Sequence, residues 1–372
     1  MSELEAVCLV KTFGSVRAVD GVSFKIDKGE FVSLLGPSGC GKTTTLRMIA
    51  GLEIPTSGKV LIGGKDVTHL PPHVRPVSMV FQNYALFPHM TVRDNVAFGL
   101  KMRKTPRSLI QSRVYDALAM VGLEGCEARY PSELSGGQQQ RVALCRALVT
   151  NPEVLLLDEP LSNLDAKLRR EMRIELRDTL KQTGVTALYV THDQEEALSL
   201  SDRIIILHKG KVLQIGSPME IYQTPGTAFI ADFMGQVNIF RGEVQHVEGD
   251  RCRIVSPDLG TVIGLTGRHN LAKGDPVMFI VRRESIRLRK ISSSGGNSDS
   301  NRVPGVVQAS VYLGREIEYL LQLMGSNRKL NVLLDFHGEL GEAARVVVGE
   351  KVVAEWPSSA CLVVQKLEAE NG

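Results

Sequence analysis

The sequence lacks a long hydrophobic run, an excess of charge of one sign and any paired-cysteine motif. No stretch approaches the roughly 18 consecutive apolar residues of a membrane-spanning helix, so we expect no transmembrane segment. The 44 Lys and Arg residues nearly balance the 41 Asp and Glu residues, which leaves a formal charge of +3. That balance argues against nucleic acid or an anionic membrane as a partner through bulk electrostatics.

The six cysteines are scattered without a CxxC pair, so we expect reduced thiols and neither a disulfide framework nor a zinc site. The segment Met1–Glu5 carries acids where a signal peptide needs positive charge, and we expect no leader and a cytosolic protein. The 372 residues, 43% hydrophobic and 23% charged, are typical of a globular protein of about two domains.

The first 235 residues alternate strand-like and helix-like segments, which predicts an α/β domain. Three short apolar runs are typical of parallel strands buried on both faces: 31–35, 154–157 and 187–190. Two further segments flank a Lys-Gly turn and predict a hairpin, at 203–207 and 211–215. A strand at 22–26 indicates an antiparallel layer beside the parallel core.

Residues 236–372 have short, turn-separated strands and predict an all-β domain. A polar stretch at 292–301 divides it and is expected to be a flexible loop. The two halves resemble each other: Gly242–Val244 is similar to Gly305–Val307, and Gly274-Asp275 is similar to Gly349-Glu350. This indicates one small β-barrel of two related halves, with generic β-protein patterning as the alternative.

A glycine-rich segment, 36–43, matches the phosphate-binding pattern G-x-x-x-x-G-K-[ST]. It lies between a predicted strand and a predicted helix at 43–50, as this motif requires. Its backbone amides and the helix N-terminus favour phosphate oxygens, while Lys42 can reach the β- and γ-phosphates and the Thr43 hydroxyl can bind Mg²⁺. We therefore expect nucleotide contacts from Gly36, Pro37, Ser38, Gly39, Cys40, Gly41, Lys42, Thr43 and Thr44.

Two consecutive acids end the apolar strand at 154–157. Because successive strand residues point in opposite directions, the two carboxylates should have different functions. Asp158 fits a water-mediated contact to Mg²⁺, and Glu159 fits the general base that polarises the attacking water.

A second anion-binding loop, Leu134–Gln138, precedes a predicted helix. Ser135 is expected to cap that helix, while Gly136 and Gly137 expose backbone amides. The chain thus has two phosphate-binding loops for one nucleotide, which converge either within one chain or between two chains.

With these motifs in place, the chain resembles the ATP-binding subunit of an ABC transporter over nearly its whole length. Leu134–Gln138 is similar to the family's signature sequence and lies just before the Asp158-Glu159 strand, as in the family. The resemblance implies a P-loop NTPase fold with a helical subdomain at about 84–150. It also implies a head-to-tail homodimer in which each ATP lies between the P-loop of one chain and the signature of the other.

The resemblance assigns roles to further positions. Gln82 resembles the loop glutamine that touches Mg²⁺ and the attacking water, and His192 resembles the switch histidine that contacts the γ-phosphate. Asp165 belongs to a segment, Ser162–Asp165, that resembles the loop signalling between the two sites, and Gln138 belongs to the signature. Phe13 stands where the family usually has a tyrosine that stacks on adenine.

Two predictions concern neighbouring segments. The Cys40 thiol lies near a helix N-terminus, so we expect a lowered pKa and inhibition by alkylating reagents, with an inert small residue as the alternative. Residues 84–90 are apolar and interrupted by Pro88, and we expect part of them to form a groove for a short helix of a membrane partner. Core packing is the alternative.

The C-terminal extension resembles the OB-like (TOBE) domain of importer ATPases, and several segments look most like the spermidine/putrescine-type subset: 75–77, 81–92, 195–197, 311–314 and 318–319. The resemblance implies a peripheral ATPase on the cytoplasmic face of a bacterial inner membrane, with two integral-membrane permease subunits and, indirectly, a solute-binding protein. A polyamine or related cation is the preferred solute, with ferric iron, phosphonate or sugar as alternatives. A soluble ABC ATPase acting on ribosomes or DNA and a P-loop kinase are the rivals from other classes.

Overall fold

The computed structural model describes residues 2–290, 299–335 and 346–365. The chain divides into two compact units, Met1–Pro218 and Met219–Gly372. The sequence placed its domain boundary at residue 235, and that boundary stays a prediction. Residues 292–298 of the expected flexible loop lie outside the described residues, whereas Ser300 and Asn301 begin a strand.

The first unit contains ten strands and six α-helices among the described residues. The strands are β1 (Ser2–Phe13), β2 (Val16–Asp27), β3 (Phe31–Leu35), β4 (Ser57–Ile62), β5 (Lys65–Asp66), β6 (Val77–Val80), β7 (Val154–Asp158), β8 (Thr186–Thr191), β9 (Arg203–His208) and β10 (Lys211–Gly216). The helices are α1 (Lys42–Ala50), α2 (Val92–Met102), α3 (Arg107–Met120), α4 (Gly136–Leu148), α5 (Ala166–Thr183) and α6 (Gln194–Leu200).

A six-stranded sheet with the order β10-β9-β3-β8-β7-β6 forms the centre of this unit. Its strands are parallel except β10, which forms the predicted hairpin with β9. The strands β3, β7 and β8 are buried along their whole length, because helices cover parallel sheets on both faces. A second, antiparallel sheet has the order β2-β1-β4-β5. The α/β prediction with an antiparallel layer is confirmed.

Helices α2, α3 and α4 share a hydrophobic core that includes Val96, Leu118 and Val142. Thr91 caps α2 by accepting a hydrogen bond from the backbone amide of Asp94. These helices fall within the segment 84–150 that the sequence assigns to a helical subdomain, whose exact limits stay a prediction.

The second unit is mostly β-structure, as predicted. Its helices are α7 (Pro218–Gln223) and α8 (Ala228–Phe233), and its strands are β11 (Val237–Glu248), β12 (Arg251–Ser256), β13 (Gly260–Leu265), β14 (Pro276–Arg282), β15 (Arg287–Lys290), β16 (Ser300–Tyr312), β17 (Glu316–Leu323), β18 (Lys329–Asp335), β19 (Lys351–Pro357) and β20 (Cys361–Val364). They form a closed barrel, β11-β12-β13-β20-β14, and a five-stranded sheet, β15-β19-β16-β17-β18.

The internal repeat appears in the strand register. Gly242 pairs with Val277 in the barrel, and Gly305 pairs with Val352 in the sheet. The prediction of a single barrel built from both halves was wrong. Each half forms most of one sheet and contributes its last strand to the sheet of the other half. β15 of the first half pairs with β19, and β20 of the second half pairs with β14. Periodicity identifies strands but does not specify their partners.

Two buried asparagines join the halves reciprocally. The Asn238 amide accepts a hydrogen bond from the backbone nitrogen of Asn331 and donates to its carbonyl, both at 2.8 Å. The Asn301 amide does the same with Ile263, at 2.7 and 2.8 Å. Each side chain thereby satisfies a backbone donor and acceptor on the other half.

Candidate nucleotide-binding site

The predicted phosphate-binding loop connects β3 to α1. A Cβ atom at Gly36 would lie 2.2 Å from the carbonyl oxygen of Leu207, and one at Gly41 would lie 2.4 Å from that of Ala18. Gly41 also has φ of 102°, in the left-handed region that favours glycine. Close backbone approach therefore requires both glycines, and it fixes the curvature that a phosphate cradle needs.

Lys42 is buried beneath this loop. Its ammonium group donates hydrogen bonds to the carbonyl oxygens of Gly36 at 2.7 Å and Pro37 at 2.9 Å. The Cys40 sulfur lies 3.8 Å from the same nitrogen. The loop's own carbonyls thus hold the ammonium at the floor of the cradle.

Thr43 and Asp158 meet where α1 begins and β7 ends. The Thr43 hydroxyl donates to Oδ1 of Asp158 at 3.2 Å. Burial raises the pKa of the Asp158 carboxyl, and the nearby charge of Glu159 adds to the rise, while the Thr43 hydrogen bond opposes it. A hydroxyl and a buried carboxylate side by side are oxygen ligands of the kind that Mg²⁺ prefers.

Glu159 leaves the strand in a left-handed conformation with φ of 45°. Because β7 ends at Asp158, the expected alternation of strand residues does not extend to Glu159. The left-handed backbone at Glu159 instead directs its side chain away from Asp158. Oε2 of Glu159 lies 3.1 Å from Nδ1 of His192. A cleft of about 240 Å³ is lined by Glu159 and the phosphate loop, at Ala18, Ser38, Gly39, Gly41, Lys42, Thr43 and Thr44.

Gln82 lies in an exposed turn after β6, where its carbonyl oxygen accepts a hydrogen bond from Nδ2 of Asn163 at 2.8 Å. Tyr84 and Ala85 follow with φ of 61° and 48°, a conformation unfavourable for residues other than glycine. The Arg146 guanidinium on α4 donates to both of their carbonyls, at 2.7 and 2.6 Å. One arginine thus holds the strained end of the Gln82 loop.

The expected signature loop has the predicted helix cap. The Ser135 hydroxyl accepts from the Gln138 amide at 3.3 Å, and the Gln138 side chain accepts from the Ser135 amide at 3.0 Å. Cβ atoms at Gly136 and Gly137 would lie 3.3 and 3.4 Å from the side chains of Leu164 and Leu168. The residues lining the phosphate-loop cleft do not include this loop, and both segments lie within the described part of the chain.

Cys40 corrects one prediction. Burial raises the pKa of its thiol, and the nearby Lys42 ammonium opposes that rise. The expectation of a lowered pKa was wrong, because the sulfur packs into the space that Gly36 leaves free and is 2% exposed. Burial of the thiol therefore outweighs the Lys42 charge and the hydrogen bonds that would lower its pKa.

Two other expected contacts lie apart from the lining of the cleft. Phe13 is half exposed, and the Lys11 ammonium lies 4.9 Å from its ring centroid. Asp165 caps α5 by accepting from the amides of Lys167 and Leu168, both at 3.0 Å. Their proposed contacts with nucleotide stay predictions.

Family comparisons agree with this geometry. The family model "ABC transporter" matches residues 19–162, and the model "TOBE domain" matches residues 279–364. The chain is 47% identical over 357 residues to the spermidine/putrescine import ATP-binding protein PotA of Rubrobacter xylanophilus, covering 96% of this chain and 92% of that protein. The chain belongs to the ABC transporter ATPase family.

Other relatives of this ABC protein support the importer branch. It is 51% identical to the Fe(3+) ions import ATP-binding protein FbpC 1 of Rhizobium meliloti, over 84% of this chain and 85% of that one. A dimeric post-hydrolysis structure of the ATP-binding cassette MJ0796, bound to ADP and Pi, matches with a TM-score of 0.51 and 33% identity, over 58% of this chain and 98% of that chain. The predicted family, fold and importer-type ATPase class are confirmed.

Sequence reasoning missed the residues behind the site of this ABC protein. Arg169 and Glu196 lie on α5 and α6 and contact the turns that carry the predicted site residues. Arg146 supports the Gln82 loop from α4. Glu196 entered the sequence argument only through a family-like segment, and neither arginine had a motif signal. Within the described residues, no helix combines the length and apolarity needed to cross a bilayer.

Proposed function

We propose that the chain is the ATP-hydrolysing subunit of a bacterial importer, working as a head-to-tail homodimer. One observation carries the proposal: the cleft contains the phosphate loop and Glu159, while a second phosphate-type loop, Ser135–Gln138, is not among its lining residues. A second copy would bring that loop to the first copy's ATP. The MJ0796 cassette is dimeric, which supports this arrangement.

The proposed chemistry is attack of water on the γ-phosphorus. Backbone amides of the phosphate loop and Lys42 bind the phosphate oxygens. Glu159 accepts the proton of the attacking water, and ADP leaves as the bond to the γ-phosphorus breaks. His192, at 3.1 Å from Glu159, orients the carboxylate and contacts the γ-phosphate.

The oxygens of Thr43 and Asp158 fit Mg²⁺, since they are hydrogen-bonded at 3.2 Å and the carboxyl is buried. Gln82 would add its side chain from the turn after β6. Bound Mg²⁺ would neutralise charge on the phosphate oxygens. Thr43 and Asp158 would hold the ion, directly and through water respectively.

The partners in this proposal are two integral-membrane permease subunits, approached from the cytoplasmic face of the inner membrane, with an external solute-binding protein. The segment 84–90 is the proposed docking site for a permease helix. Tyr84 is buried in the core, while Pro88 and His89 are exposed. The segment is therefore packed into the core at Tyr84 and accessible to a partner at Pro88 and His89. Closure of the dimer would then move a permease helix bound to it.

The proposed solute is a polyamine such as spermidine or putrescine, or a related cation. The names of PotA relatives support this assignment, and the FbpC relatives support ferric iron as the alternative. Phosphonate and sugar complete the set of candidates. The solute itself would contact other subunits.

The test is a mild-detergent pull-down of the tagged chain from native membranes, followed by ATPase assays with candidate solutes and their binding proteins. The proposal expects two membrane-spanning partners and ATPase stimulation by one loaded binding protein. Recovery with ribosomes or DNA and without a membrane partner would refute the importer function, and salt-dependent gel shifts would verify that outcome.

A further inference from the structure

Arg169 lies in the first turn of α5, immediately after the loop that carries Ser162 and Asn163. Its guanidinium reaches three carbonyl oxygens of that loop. Nε lies 3.3 Å from the oxygen of Leu161, and Nη2 lies 3.5 Å from that of Ser162 and 3.0 Å from that of Leu164. The Arg169 side chain therefore donates hydrogen bonds to three carbonyl oxygens of the 161–164 turn.

The same guanidinium faces two carboxylates beyond β8. Nη1 lies 3.7 Å from Oδ2 of Asp193, and Nε lies 4.0 Å from Oε1 of Glu196. Glu196 is 3% exposed and accepts hydrogen bonds from the hydroxyls of Tyr189 and Thr191, both at 2.7 Å. The Thr191 hydroxyl also accepts from the Asp193 amide at 3.0 Å. These contacts brace the turn on which His192 lies.

The two turns each contact the proposed base. The Ser162 hydroxyl donates to the backbone oxygen of Glu159 at 2.8 Å, and His192 lies beside the Glu159 carboxylate. Asn163 also donates to the backbone of Gln82. Arg169 therefore contacts both the 161–164 turn and the 191–193 turn. Each of these turns also contacts Glu159.

We propose that Arg169 is a positioning residue for ATP hydrolysis, whose single guanidinium fixes the 161–164 turn and the 191–193 turn relative to each other. This inference rests on the proposed function of Glu159 and His192. It predicts that loss of the guanidinium lowers kcat while ATP binding persists, since the phosphate loop is held by other contacts.

An arginine suits this position better than a lysine. The guanidinium presents five donors in a rigid plane and can serve carbonyls and carboxylates on different sides at once. A lysine ammonium carries the same charge on a flexible stem, but it cannot keep the same fixed geometry. Arg169→Lys should therefore recover only part of the activity that Arg169→Gln loses.

Arg173 provides a matched control one turn further along α5. It forms an ion pair with Glu195 of α6 at 3.0 Å, and the hydrogen bonds described for it do not include the 161–164 turn. Arg173→Gln removes the same charge from the same helix. We expect kcat within about twofold of the wild type, because the Glu195 end of this ion pair is exposed to solvent and such pairs contribute little.

The experiment measures kcat, KM and the Kd of a fluorescent ATP analogue for the full-length wild type, Arg169→Gln, Arg169→Lys and Arg173→Gln. Arg169→Gln should lose about 10- to 100-fold in kcat, as expected when reacting groups are misplaced, with Kd unchanged. Arg169→Lys should lie between it and the wild type. In Arg169→Gln the buried carboxylate of Glu196 loses the nearby guanidinium charge. The double variant Arg169→Gln/Glu196→Gln also removes that carboxylate charge, so it should regain thermal stability but not kcat.

Two results would overturn the inference. Wild-type kcat in Arg169→Gln would show that the residue does not position the site, and recovery of kcat in the double variant would show that only stability was affected. A wild-type chain that binds ATP without hydrolysing it, with or without its membrane partners, would instead contradict the proposed function itself.

Discussion

Glu159 and His192 lie 3.1 Å apart, from Oε2 to Nδ1, although they follow different strands. Asp158 of β7 pairs with Val190 of β8, and the Glu159 amide donates to the Val190 carbonyl at 2.9 Å. The parallel register therefore brings the ends of both strands to one edge of the sheet. The left-handed turn at Glu159 then directs its carboxylate towards the imidazole.

Asp158→Asn should stabilise the metal-free protein at neutral pH. Because the native pKa of Asp158 is raised above its ordinary value of 3.8, the folded chain retains this proton at pH values where the unfolded chain has lost it. The stabilisation is present below the unfolded pKa and is lost as the pH rises through the native pKa. We expect the Tm at pH 7 to rise by a few degrees, on the order of 2–4 °C for each kcal/mol.

Differential scanning calorimetry at pH 4 and pH 7, with and without Mg²⁺ and ATP, tests this expectation. The gain should shrink at pH 4, and Mg²⁺ should no longer add to stabilisation by ATP in the variant. Asp178→Asn on the exposed face of α5 is the control. A lower Tm at pH 7, or an undiminished Mg²⁺ effect, would refute the role assigned to Asp158.

Arg146→Gln should loosen the Gln82 loop. The arginine donates to the carbonyls of Tyr84 and Ala85, two adjacent residues in left-handed conformations that cost on the order of 1–3 kcal/mol each. Without these bonds the loop should open more often, and amide hydrogen exchange at residues 81–87 should accelerate. Arg103→Gln, which removes one bond to the Thr150 carbonyl, is the control; equal exchange in both variants would contradict the assignment.

Phe87→Asp should uncouple transport from ATP binding. The Phe87 ring packs against Phe98, with centroids 4.6 Å apart, and lies beside the Arg146 guanidinium at 5.6 Å. Transport in membrane vesicles should fall while ATP binding is retained, because the docking surface is altered and the phosphate loop is not. Phe87→Leu keeps an apolar side chain and should retain most transport. Normal transport by Phe87→Asp would exclude this segment as the docking site.

The sequence was sufficient to predict local structure and the motif-bearing loops. The parallel strands, the phosphate loop between β3 and α1, and the Ser135 cap follow from short patterns, because each depends on neighbouring residues. Arg169 and Glu196 depend on contacts between separate elements, so no local pattern marks them. Cys40 shows the same limit, because burial of its sulfur by surrounding residues raises the pKa of the thiol.

The second unit shows why an internal repeat in the sequence does not predict how the strands pair. The matching glycines gave the correct correspondence of strands, but strand exchange depends on which edge each last strand reaches. A further signal of the repeat lies in the sequence, because Asn238 precedes Gly242 and Val244 with the same spacing by which Asn301 precedes Gly305 and Val307. That shared N-x-x-x-G-x-V pattern marks the reciprocal asparagines.

Asn238→Leu and Asn301→Leu should each destabilise the second unit to a similar extent. Each change leaves a backbone donor and acceptor on the other half without their partner, at a cost of about 1–3 kcal/mol for each buried group. Trp356 is the single tryptophan and is fully buried in this unit, so its fluorescence reports urea unfolding. Asn270→Ala at an exposed position is the control, and wild-type midpoints in both leucine variants would contradict the reciprocal arrangement.

The central proposal is that each ATP is shared between two chains, and light scattering of Glu159→Gln with Mg²⁺ and ATP tests it most directly. Removing the base should preserve ATP and trap a dimer with two bound nucleotides. Adding Gly136→Asp places a carboxylate at the signature loop, where it suits the helix N-terminus but repels the partner's phosphates. If ATP is shared between two chains, the single variant should form dimers and the double variant should remain an ATP-bound monomer. ATP-bound monomers of the single variant, or equal dimerisation of both variants, would refute the shared site.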